Sequence, residues 1–174
     1  MNEGLICDIK QVQESYYSTT KKTIFNKKEL KTKCAEHISQ HISLVELVSK
    51  TVYIIPDTNR IFIDYTIFKT YASSSNYQDV VALLISHIIS VINTHGKFEI
   101  HMNLDSLSVT GLDRHQSILK LYYDACLSIN LSYDENQIDK IVIFNTPMII
   151  NSLIHIIVKY TDSSIKTKIV CHKK

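Results

Sequence analysis

With 174 residues, 45% of them hydrophobic and 21% charged, the chain has the make-up of one folded domain able to hide about 70% of its unfolded surface, which excludes a disordered tail. The net charge is only +2, and Arg60 and Arg114 are the only arginines. Nucleic acid is therefore not the expected partner, because the guanidinium forks that read bases and clamp phosphates are nearly missing.

Residues 1–27 are polar and hydroxyl-rich, which predicts an N-terminal arm or one short strand ahead of a single domain at 28–174. Met1–Thr20 carries Glu3, Asp8, Lys10 and Glu14 with no apolar core, so it does not read as a signal peptide. From Lys28 to Lys50, Leu30, Cys34, Ile38, Ile42, Val45 and Val48 recur at three- and four-residue spacing, which predicts a helix. Lys27, Lys28, Lys31 and Lys33 crowd its start against the helix dipole. A solvated face accounts for them, and an anionic membrane surface is the ligand alternative.

Thr51–Ile55 and Arg60–Phe68 are β-branched and aromatic, and Pro56–Asn59 between them are turn formers, so this pair predicts a hairpin. Tyr77–Asn93 predicts a helix stopped by Gly96 in the left-handed conformation. Its apolar block Val80–Ile92 is too short to span a bilayer and reads as a buried helix. Phe98–Asp105 alternates, with Phe98, Ile100, Met102 and Leu104 on one face and Glu99, His101, Asn103 and Asp105 on the other. Asp113–Asn130 predicts a helix and Leu131–Asn136 a loop. Ile138–Phe144 reads as a buried strand, followed by Asn145-Thr146-Pro147 and a strongly apolar helix over Met148–Tyr160. Pro147 suits a first helical turn, and Asn145 or Thr146 is placed to supply the cap. Ile165–Cys171 alternates weakly as a last strand. This order of helices and strands predicts an α/β fold with parallel crossovers.

The chemistry of catalysis is sparse. Gly4, Gly96 and Gly111 stand apart, so no phosphate loop exists, and no G-x-S-x-G elbow appears. Cys34, His37 and His41 have a spacing that puts three soft ligands on one helix face, yet no paired motif offers a fourth, and core-edge histidines are the commoner reading. Asp64 and Asp105 end strand-like runs, where α/β enzymes place reactive groups and where an Asp more often caps the next turn. Cys7, Cys34, Cys126 and Cys171 lack framework spacing and read as free thiols in a reducing compartment. We expect a non-enzymatic protein with no cofactor and no metal, in the cytoplasm. Heavy use of Ile, Lys, Asn and Tyr suggests an AT-rich genome, such as that of a protist or a large DNA virus; a viral source would place it in host cytoplasm or virion.

The segment order over residues 50–170 resembles the CRAL-TRIO lipid-binding domain family. Phe98–Gly111 is similar to that family's strand and following short loop. Ile138–Pro147 is similar to its strand running into Asn-x-Pro, and Met148–Tyr160, followed by Lys166–Ile169, to its mobile gate helix and edge strand. The resemblance implies a mixed, mostly parallel sheet with helices on its faces and a gate-like helix at 147–161. It also implies a cavity for one hydrophobic molecule or phospholipid, with Ile100, Met102, Tyr122, Ile143, Met148, Ile149, Ser152, Leu153, Ile156 and Tyr160 as the expected lipid-binding residues. Peripheral membrane contact goes with that reading. The strand Phe98–Asp105 poses the physical question, because a cavity facing Glu99, His101 and Asn103 would leave polar groups unpaired against a lipid tail, at about 1–3 kcal/mol each.

The alternative is a protein-interaction scaffold or virion structural protein that keeps the fold without the pocket. Thr110–Leu112 also compares with the switch loop of STAS anti-sigma antagonists, though the residues directly before Gly111, Val109 and Thr110, are not the matching Asp-Ser pair.

Overall fold

In the computed structural model, which describes residues 3–20, 27–129, 137–161 and 163–173, five strands form one sheet in sequence order: β1 (Val52–Ile54), β2 (Arg60–Asp64), β3 (Phe98–Asn103), β4 (Ile138–Phe144) and β5 (Ile169–Cys171). β1 and β2 are the expected antiparallel hairpin. The other three pairings are parallel, with Ile61 beside Ile100, Ile100 beside Ile141 and Ile141 beside Ile169. The mixed, mostly parallel α/β sheet expected from the sequence is present.

Each crossover steps one strand further in the same direction, and right-handed crossovers then put every connecting helix on one face. Side chains of α5 (Tyr77–His95), α7 (Ser117–Ser128) and α8 (Ile150–Tyr160) accordingly meet the same strand residues, Ile63, Ile100, Met102 and Ile141. Without a reversal in strand order there is no switch-point crevice, the usual ligand site of doubly wound sheets.

The N-terminal segment is not a strand or a loose arm: α1 (Glu3–Thr19) is a helix whose Leu5 and Ile9 join the core. Leu5, Ile9, Val12 and Tyr16 recur at four- and three-residue spacing, a stripe masked by the polar composition around it. The single helix expected over Lys28–Lys50 is two, α2 (Lys27–His41) and α3 (Leu44–Thr51), with the Ser43 hydroxyl accepting from the Glu46 N–H at the break. β2 ends earlier than Phe68 because Asp64 caps α4 (Tyr65–Tyr71), accepting from the Thr66 N–H at 2.9 Å and its hydroxyl at 2.6 Å. Gly96 is left-handed at φ 76° and ends α5 as expected. The helix foreseen at 113–130 is split into α6 (Val109–His115) and α7. The loop foreseen at 131–136 lies outside the described residues. By length and composition alone α5 could cross a membrane; here its Tyr77, Val80, Val81, Ile88 and Val91 are buried inside the fold.

The turn before α8 departs from the simple cap. Asn145 is left-handed at φ 51°, and its side-chain amide donates to Asn103 Oδ1 at 2.9 Å. The Thr146 hydroxyl donates to the His172 carbonyl at 2.9 Å. Both groups tie the loop to neighbouring strands and leave α8 to start three residues past Pro147, with no side-chain cap. The last segment is a 3-10 helix at Ser163–Lys168 and then a three-residue edge strand, β5.

Candidate functional site

A cavity of about 220 Å³ lies between sheet and helices. Its floor is the apolar face of β2, β3 and β4: Ile63, Phe98, Ile100, Met102, Leu104, Ile138 and Ile141. Strand alternation decides this. Glu99, His101 and Asn103 point to the opposite side, where Glu99 sits 2.6 Å from His101 and 3.4 Å from Arg60. No unpaired strand polar group therefore faces the void. Val80, Val81 and Leu84 of α5 and Ile118, Leu119 and Tyr122 of α7 form the walls. Leu153 and Ile157 of α8, with Thr161 and Ile165, form the roof. Tyr65, Phe68, Leu107, Gly111, Leu112, His115 and Gln116 also border the space.

Four of the ten residues expected to bind lipid line this cavity: Ile100, Met102, Tyr122 and Leu153. Ile143 is fully buried in the core and does not border the void. Met148 is fully exposed and Ser152 exposed, while Ile149, Ile156 and Tyr160 are half-buried outside the lining. Tyr160 instead packs against Tyr123 with the rings tilted by 39° and their centroids 5.9 Å apart. Of the expected inward set Met148, Ile149, Ser152, Leu153, Ile156 and Tyr160, only Leu153 borders the void, joined there by Ile157 and Thr161. Nor is α8 apolar all round: Asn151, Ser152, His155 and Lys159 are exposed and only Leu153 is buried. It is an outer cover, not an interior helix.

His115 is the most polar group at the cavity. It is 5% exposed. Arg114 Nε donates to its Nε2 at 2.9 Å. An arginine can only donate, so Nε2 accepts and Nδ1 carries the proton, directed at the Tyr77 hydroxyl 2.8 Å away. Tyr77 in turn donates to the Arg114 carbonyl at 3.3 Å. Burial first, and the Arg114 charge second, push the His115 pKa down to about 3, so the ring is neutral and satisfied. Burial also lifts the Tyr77 phenol to about 12. Neither group is tuned toward neutral pH as a general acid or base would be.

The remaining candidates are structural. His37 and His41 stack with ring centroids 4.0 Å apart, and His41 Nδ1 bonds the His37 carbonyl. Cys34 is buried against Tyr17 and Gln13. Among the described residues no group of three or more His, Cys, Asp or Glu could hold a metal. Asp64 is a helix cap, and the Asp105 N–H bonds Asn103 Oδ1. All four cysteines are free. The chain matches no protein-family model and no curated protein.

Proposed function

We propose that the chain is a non-enzymatic binder of one hydrophobic molecule, held as an extended aliphatic chain between the sheet and α8. The apolar cavity under α8 carries this reading. At about 220 Å³ it falls below the roughly 300–1,000 Å³ of sites for drug-sized ligands. It suits a single acyl chain more than a whole diacyl lipid. Left empty, a void of this size forfeits stability on the order of 5 kcal/mol, at about 24 cal/mol per Å³. Each methylene buried in it gains about 0.8 kcal/mol. The CRAL-TRIO resemblance, with α8 as a gate-like helix over the cavity, supports the same reading.

Mass spectrometry of organic extracts of the purified protein is the direct test, paired with displacement of a fluorescent fatty acid. A co-purifying acyl lipid, displaced stoichiometrically, is the expected result. An extract free of lipid, from protein that also fails to take up the probe, overturns the proposal.

A second reading, an interaction scaffold, rests on a different observation. A groove between α5 and α7, lined by Val81, Ala82, Ile85, Ile89, Leu121, Ala125 and Ile129, opens on the outer surface. Ile89 and Ile129 are exposed there. Such a patch fits a protein partner, and self-association on a sizing column favours it.

A further inference from the structure

Across the wall made by Tyr65 and Gly111, which border both spaces, lies a second cleft of about 280 Å³ and opposite chemistry. Lys28 and Lys31 of α2, Lys69 of α4 and Arg114 of α6 line it, together with hydroxyl groups of the 106–110 segment. No carboxylate does. Asp113 sits on the rim, paired with Lys28 at 2.6 Å, both half exposed. Among the described residues Lys31, Lys69 and Arg114 have no carboxylate partner.

Arg114 is held without being neutralised. Its Nη2 donates to the Lys69 carbonyl at 2.7 Å and its Nε to His115. Lys69 Nζ is bonded to the Ser106 hydroxyl. Like charges gathered in one concavity repel, so folding alone gives no reason for them, and a chain with net charge +2 has no general excess of cations to spread. Focused in a cleft, such charges draw in an anion. Ammonium and guanidinium donors mixed with hydroxyls suit a group with three acceptor oxygens and more than one negative charge.

We propose that this cleft binds a phosphoryl group, carried either by a soluble phosphate ester or by a phospholipid headgroup. The site is separate from the acyl cavity, and the inference does not depend on that reading.

Two probes on the intact chain test it: inorganic pyrophosphate by titration calorimetry, and sedimentation with phosphatidylcholine vesicles with or without phosphatidic acid. Each is run on wild type and on Lys31→Gln, Lys69→Gln and the double variant, with fatty-acid uptake on the same samples as a control of fold and cavity. Saturable pyrophosphate binding, weakened about tenfold or more by each lysine change, identifies the site and a soluble source. Sedimentation that needs phosphatidic acid and is lost in the double variant, without pyrophosphate binding, identifies the headgroup. Binding to neither probe, or binding that the double variant retains, overturns the proposal. A failure here with fatty-acid uptake intact leaves the acyl reading untouched.

Discussion

Gly111 shows how one missing side chain shapes the molecule. A Cβ there would stand 2.4 Å from the Tyr65 hydroxyl, so the ring of Tyr65, buried in the core, would have to shift from its packed position. Gly111→Ala should destabilise by about 1–3 kcal/mol, the usual cost of overpacking, read as a lower urea midpoint at unchanged slope. His115 sets a pH dependence. Its folded pKa of about 3 lies below the ordinary value of about 6.5, so the unfolded chain takes up a proton that the folded chain refuses. Stability should hold above pH 6.5 and fall by about 1.4 kcal/mol per pH unit from this group as pH drops toward 3. Urea titrations at pH 7 and pH 5 check it: His115→Gln should lose much of that slope. The sequence showed neither effect in advance, since the Tyr65–Gly111 contact and the His115 surroundings come from segments far apart along the chain.

Among elements, α8 separates what periodicity can reveal from what it cannot. Its existence, its length and its place after a strand were legible. Its inward face was not, because the turn at 145–149 sets its starting angle through bonds from Asn145 and Thr146 to β3 and the segment after β5. Those bonds are invisible along the chain. The observed face gives two contrasting predictions. Leu153→Trp should fill the void and abolish fatty-acid uptake in a protein that still melts cooperatively. Met148→Ser, at a fully exposed position, should change stability by less than about 0.5 kcal/mol and leave uptake intact. In β3, by contrast, strict alternation placed Phe98, Ile100, Met102 and Leu104 together, and the structure keeps all four on the cavity floor. The lysines of α2 read as a solvated face, and Lys28, Lys31 and Lys33 are exposed; that Lys28 and Lys31 share a cleft with Lys69 and Arg114 was not legible, because those two lie on other helices.

For the whole molecule, a ligand that binds only the folded state raises its stability by mass action. An acyl chain present at a hundred times its dissociation constant should add about 2.7 kcal/mol, visible as a rise in Tm that Leu153→Trp no longer shows. The strand order 1-2-3-4-5 carries a consequence for synthesis. Every strand pairs with the one made just before it, so the sheet can grow from its N-terminal edge as the chain leaves the ribosome. The floor and the α5 and α7 walls can form from earlier residues than Leu153, Ile157, Thr161 and Ile165, which supply the roof.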